Sequence, residues 1–202
     1  MSDLSTREKI LKISHKLFAD RGLHAVSIRE IAKECDVNVA AVNYHFQNKE
    51  KLYLETIKES VLGTERDLKD LYDSLEIKET ENFLLKVYDY FLENAEDLRT
   101  AFKLIISSEK YMEAMEGHID RFTLGPPGGE FFGECIKNEV PHVSSEDLEW
   151  AVRCLFTQVL HKALIMCNQP ICHSLKVHGV EKNLLREDIK RLTKTILKEI
   201  SR

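Results

Sequence analysis

The chain has 202 residues, 43% of them hydrophobic and 31% charged, with a net charge of −5. That length supports a real hydrophobic core in one large domain or two small ones. Eight glycines, four prolines and scarce β-branched alternation favour an all-α fold. No apolar run approaches the roughly 20 residues that would span a bilayer. The N-terminal stretch MSDLSTREK lacks the apolar core of a signal peptide, so a cytoplasmic chain without membrane attachment is expected.

The charge is unevenly spread. Residues 1–53 hold nine Lys/Arg against seven Asp/Glu, and the remaining residues hold 20 against 27. A mildly basic head on an acidic body confines phosphate attraction to the head. Cys35, Cys135, Cys154, Cys167 and Cys172 form an odd set without framework spacing and read as reduced thiols.

In chain order, Ser5-Thr6-Arg7-Glu8 is a capping box, and Ile10, Leu11, Ile13, Leu17 and Phe18 repeat behind it at helical spacing. Arg21-Gly22 predicts the end of that helix at a left-handed glycine cap. Ser27-Ile28-Arg29-Glu30 is a second capping box opening a short helix, with Ile28, Ile31 and Ala32 on one face. Asp36 and Asn38 interrupt the pattern, and Val39 to Phe46 resumes it as another short helix. Two short helices joined by a tight polar turn, the second small and weakly charged outside, suggest a helix-turn-helix DNA reader. Ala40 and Ala41 keep the second helix slim enough for a major groove about 12 Å wide. Asn43 lies about one turn from Ala40, where its amide would pair with an adenine edge or a phosphate. Tyr44 and His45 offer hydrogen bonds at the helix end, and Lys49 adds a point charge. A plain three-helix bundle is the competing reading of this stretch.

From Lys49 a long helical pattern continues through Leu52, Ile57, Val61, Leu68 and Leu75. After a looser stretch from Ser74 to Thr80, Phe83 to Leu92 and then Leu98 to Ile106 form broad apolar stripes, expected in helices buried on more than one side. Gly125-Pro126-Pro127-Gly128-Gly129 reads as a rigid loop ahead of a helix from Glu130 to Glu139. It lacks the strand before it and the Gly-Lys-Ser/Thr after it that a phosphate-binding loop requires. Ser144 to Asp147 caps a long apolar helix through Met166, and Glu187 to Ile200 is a last amphipathic helix. These two final helices are suited to pairing with a second copy as a four-helix bundle, giving a homodimer. Two heads about 34 Å apart would then read a pseudo-palindromic operator. Cys167, Cys172, His173 and His178 come close to structural zinc spacing, although ordinary packing is the stronger reading of them. A thiol or metal role stays open, no metal site or cofactor is assigned, and no catalytic motif is present, so an enzyme is not expected.

Thr6 to about Tyr53 resembles the N-terminal DNA-binding domain of the TetR family of bacterial transcriptional regulators. The resemblance is carried by Leu17-Phe18-Ala19, Gly22, Ser27, Ile31-Ala32, Val37, Tyr44-His45-Phe46 and Lys49-Glu50-Lys51-Leu52. It implies a helix-turn-helix DNA-binding domain over 1–53 and a helical effector-binding and dimerisation domain over 54–202. It also implies that Ser27, Asn38, Tyr44, His45 and Lys49 contact phosphates and that Val39, Ala40 and Asn43 face bases. Many relatives carry Lys or Arg at the position of Val39, and Gly or Thr at those of Ala41 and Val42, so base contacts here are expected to be few and apolar. The function implied is a dimeric repressor released from its double-stranded operator by a small-molecule effector. Phe102, Tyr111, Phe122, Trp150, Arg153, Gln158 and His161 are the residues expected at the effector pocket. A DNA-binding dimer without such an effector, governed by a protein partner or by thiol or metal chemistry, is the alternative.

Overall fold

The computed structural model describes residues 5–118, 124–177 and 182–202. Among these the regular structure is helical throughout: α1 (Thr6–Ala25), α2 (Ile28–Glu34), α3 (Val39–Phe46), α4 (Lys49–Asp73), α5 (Thr80–Glu93), α6 (Ala95–Ser107), α7 (Tyr111–Ala114), α8 (Gly129–Glu139), α9 (Ser145–Cys167), α10 (Gln169–Val177) and α11 (Lys182–Ile200). The helices form two compact units, one of residues 1–63 with 99–119 and the other of 64–98 with 120–202. No helix among the described residues is long and apolar enough to cross a membrane.

The first unit is built on α1. Its start is fixed by the Ser5–Glu8 capping box, in which both reciprocal hydrogen bonds are present. Gly22 interrupts the helical conformation where an end is expected, with positive φ but extended ψ (φ 75°, ψ 172°), and a short further turn follows to Ala25. Ile10, Leu11, Phe18 and Ala19 face inward and meet Ile31, Ala32, Val42, Phe46, Leu52, Tyr53 and Ile57. Phe18 and Tyr53 meet edge to face with centroids 5.0 Å apart, a favoured aromatic geometry.

Residues 99–119 belong to this same unit, which a division of the chain at residue 53 does not anticipate. Leu104 and Ala114 are buried in the head's core, and Tyr111 packs against it. At the surface Lys103 donates to Asp20 at 2.9 Å, and Lys110 bridges Glu50 and Glu113. These contacts link positions 60 and 83 residues apart in the chain, which no local pattern announces.

The second unit packs α5, α8, α9 and α11 around Phe83, Leu84, Val87, Tyr88, Phe132, Ile136, Leu155, Val159 and Ile196. Phe132 lies at its centre, 4.6 Å from Phe83 and edge-on to Phe156 at 5.8 Å. The N-terminus of α5 has no side-chain cap of its own; instead Glu139 accepts the Thr80 amide at 2.7 Å, placing a carboxylate where the helix dipole is positive. The glycine-proline loop ends at Gly128 (φ 76°), where an added Cβ would lie 2.7 Å from Leu68 Cδ1. Both the backbone angle and the lack of space therefore require glycine there.

Leu104 tests the membership of residues 99–119 in the head unit. Leu104→Ala should lower stability by about 2–5 kcal/mol, as for other buried leucines, whereas Ile106→Ala, two positions on and exposed, should change it by less than about 0.5 kcal/mol. Urea unfolding followed by circular dichroism measures both.

Candidate nucleic-acid interface

Two side-chain caps set the geometry of α2 and α3. Ser27 Oγ accepts the Glu30 amide at 3.2 Å and starts α2. The Ser27 backbone adds a weaker reciprocal contribution to the Glu30 carboxylate. Its principal partner is Arg21, 2.5 Å away, and this hydrogen bond above all holds the Glu30 carboxyl below the ordinary range. Asn38 Oδ1 accepts the Ala41 amide at 2.7 Å and starts α3, so its side chain is first of all a helix cap.

The turn between them closes through the Val37 amide, which donates to the Ala32 carbonyl at 2.9 Å, with Asp36 in a left-handed conformation (φ 52°). Aspartate tolerates that region better than most residues. At the other end of α3, Gln47 has φ 65° and ψ −52°. This conformation is costly for a residue with a Cβ, by roughly 1–3 kcal/mol. Helix α3 is thus bracketed by two positive-φ residues that sharply limit its length.

Within α3, Val42 and Phe46 are the buried residues, four apart on one face. Arg7 lies over the Phe46 ring, 5.2 Å from its centroid. The opposite face presents Val39, Ala40, Asn43 and Tyr44 to solvent, with Tyr44 85% exposed. His45 is half-buried and edge-on to Tyr44, with centroids 5.2 Å apart. Ser27 and Asn38 are exposed at the starts of their helices. Six of the eight expected DNA-contact residues therefore lie on the outer face of α3 or at the starts of α2 and α3, and a seventh, His45, is half-buried beside Tyr44. The eighth, Lys49, is half-buried and donates to the Val26 carbonyl at 3.0 Å, tying the start of α4 to the end of α1. An ammonium has three donors, so this bond leaves capacity for a phosphate.

Two further cations are exposed on the neighbouring helix. Arg29 and Lys33 stand four residues apart on the exposed side of α2. Their helical spacing is legible in the sequence, whereas their shared exposure follows from the packing of Ile31 and Ala32. Glu50, the acid nearest the start of α4, is hydrogen-bonded to Lys110, which depresses its carboxyl below the ordinary range and offsets its charge.

The residues expected at an effector pocket are dispersed. Phe102 and Tyr111 are half-buried in the first unit, and Phe122 lies outside the described residues. Trp150, Arg153 and His161 point outward from α9, because its inward stripe is filled by Leu148, Ala151, Val152, Leu155, Val159 and Ala163. Gln158 alone of the seven lines the shallow groove of about 250 Å³ between α9 and α11, with Lys162, Asp188, Arg191, Leu192 and Thr195. No group of three or more metal-ligating side chains gathers among the described residues; His178 lies outside them.

Comparison with known proteins follows the same division. Residues 10–56 match the family of bacterial regulatory proteins, tetR family. The chain is 33% identical over 84 residues to a probable HTH-type transcriptional regulator, YttP, of Bacillus subtilis (strain 168), covering 42% of this chain and 41% of that protein. It is 29% identical over 156 residues to the HTH-type transcriptional regulator QacR of Staphylococcus aureus, covering 70% and 79% of the two chains. The match to YttP, like those to two further curated relatives, spans less than half of the relative's length. Among solved structures, Salmonella enterica GusR superposes with a TM-score of 0.68 over 98% of both chains at 16% identity, a likeness of fold.

The two ends of α3 give opposite expectations for stability. Asn38→Ala should cost about 1 kcal/mol by removing the cap. Gln47→Gly should stabilise by a similar amount by relieving the positive φ, about 1 kcal/mol. Chemical denaturation of the two variants beside the wild type measures both signs.

Proposed function

We propose, from the premise that the N-terminal domain belongs to the TetR family of bacterial regulatory proteins, that the chain is a homodimeric repressor which a small-molecule effector releases from a pseudo-palindromic DNA operator. The observation that carries the DNA role is the outer surface of α3: half of an eight-residue helix is offered to solvent with no packing task. In this reading Val39, Ala40 and Asn43 meet base edges, with Val39 and Ala40 suited to thymine methyl groups and Asn43 to adenine. Ser27, Asn38, Tyr44, His45 and Lys49 hold phosphates and fix register, joined by Arg29 and Lys33.

One short helix buries too little DNA surface for high affinity, so the account requires two heads. The outward faces of α9 and α11 are the proposed pairing surface. Trp150, 40% exposed, is the kind of aromatic anchor that dominates such interfaces. The residues facing outward on α9, Trp150, Arg153 and His161, are thereby assigned to pairing, and the effector is assigned to the interior of the body.

Support for an effector comes from Tyr88. Its ring is completely buried in the second unit, yet its hydroxyl has no hydrogen-bond partner among the described residues. A buried unpaired hydroxyl costs about 1–3 kcal/mol, and a ligand supplying a partner recovers that energy only when bound. Effector binding that favours a wrongly spaced pair of heads by about 1–3 kcal/mol would weaken operator affinity roughly 5- to 150-fold.

Selection of bound sequences from a random duplex pool tests the DNA role. Tyr44→Ala, Arg29→Ala and Lys33→Ala should weaken binding to all sequences alike, each charge removed lowering the salt slope by about 1. Asn43→Ala should change the selected sequence; an unchanged selection would remove Asn43 from the base-reading set. For the effector, Tyr88→Phe should stabilise the unliganded protein by about 1 kcal/mol. The same variant should leave DNA binding intact and weaken release by effectors found in a thermal-shift screen. Loss of stability in Tyr88→Phe, or unaltered release, would contradict the assignment.

A further inference from the structure

The break between α9 and α10 sets two of the five cysteines on either side of one helix start. Asn168 leaves the helical conformation (φ −92°, ψ 105°), its Oδ1 accepts the Ile171 amide at 3.2 Å, and its carbonyl accepts the Cys172 amide at 2.7 Å. Asn168 is therefore the N-cap of α10. Cys167 stands immediately before it and Cys172 four residues after it. Those are the two positions whose side chains fold against each other as the apolar staple that fixes how a chain enters a helix. Here both staple positions are cysteine.

Their surroundings agree with that placement. Cys172 is buried, 7% exposed, and Cys167 is half-buried with its thiol directed to the Phe91 carbonyl at 3.8 Å. Tyr88, one turn before Phe91 on α5, has its hydroxyl pushed up to about 12, chiefly by burial and then by Asp89, with Arg186 opposing and both cysteines adding to the shift. The remaining cysteines are placed differently: Cys35 in the head's core, Cys135 in α8 and Cys154 along α9.

We infer that Cys167 and Cys172 form a redox-convertible dithiol, closed to a disulfide across the α9–α10 junction by low-molecular-weight disulfides. The Cys167 thiolate attacks one sulfur of the small disulfide, forming a mixed disulfide and releasing one thiol. The Cys172 thiolate then attacks Cys167 Sγ, forming the internal disulfide and releasing the second thiol. The protein pair gives up two electrons and two protons, and the small disulfide becomes two thiols. Closure removes the Cys167 donor from the Phe91 carbonyl and locks the staple covalently. The inference rests on the geometry of the second unit and is independent of any DNA role.

The test equilibrates the full-length protein in glutathione buffers of graded reduced-to-oxidised ratio, followed by acid quench, alkylation, trypsin digestion and mass spectrometry. Both cysteines fall in one tryptic peptide, Ala163–Lys176, while Cys154 falls in another. The expected result is a single two-electron transition in which that peptide loses both alkylation sites and two hydrogens, without attached glutathione. The folded protein should oxidise at a ratio at least about tenfold more reducing than a synthetic 163–176 peptide, because the fold holds the thiols together. Under the same conditions Cys172→Ser should leave Cys167 as a glutathione mixed disulfide. The inference is overturned if the wild-type peptide keeps two alkylatable thiols, carries glutathione instead of an internal bridge, or oxidises no more readily than the synthetic peptide.

Discussion

The architecture of the head depends on the burial of Val42 and Phe46 against α1 and the start of α4. These two side chains hold an eight-residue helix that is too short to be stable alone in water. Because they occupy one face, the other face is left without a structural duty. The caps at Asn38 and Gln47 then set where the helix begins and ends, so Val39, Ala40, Asn43 and Tyr44 are presented on a rigid support. A site built this way is positioned by packing and capping and not by loop conformation.

The same economy governs the rest of the first unit. Glu30 pairs with Arg21, and Lys49 binds the Val26 carbonyl, so charged groups at the helix junctions tie α1, α2 and α4 together before any nucleic acid arrives. Residues 99–119 add Leu104 and Ala114 to the core and place Lys110 beside Glu50. That contact offsets an acid close to the proposed phosphate-binding surface, which would otherwise repel a polyanion.

Much of this was legible in the sequence because it is local. The Ser5, Ser27 and Ser144 caps, the apolar spacing in the helices and the glycine-proline loop lie within a few residues of what they control. Less legible were features decided by distant partners. The Ser27 cap is local, but the main partner of the Glu30 carboxylate is Arg21, nine residues earlier. The cap of α10 at Asn168 is masked in the sequence by the zinc-like spacing of Cys167, Cys172 and His173 around it, and shows only in the Ile171 amide donating to its side chain. The expected pocket residues show a different limit. A polar or aromatic residue on an apolar helix marks either an interior site or the solvent side, and the fold of α9 puts Trp150, Arg153 and His161 on the latter.

The central claim is that the outer face of α3, steadied from behind by Val42 and Phe46, is the surface that meets DNA. Amide hydrogen exchange of the full-length chain, with and without a duplex selected for binding, tests it most directly. The account predicts added protection concentrated in residues 27–33 and 38–49, with the α9 and α11 segments unchanged at constant protein concentration. Protection concentrated in the second unit, with residues 38–49 exchanging as in the unbound protein, would contradict it.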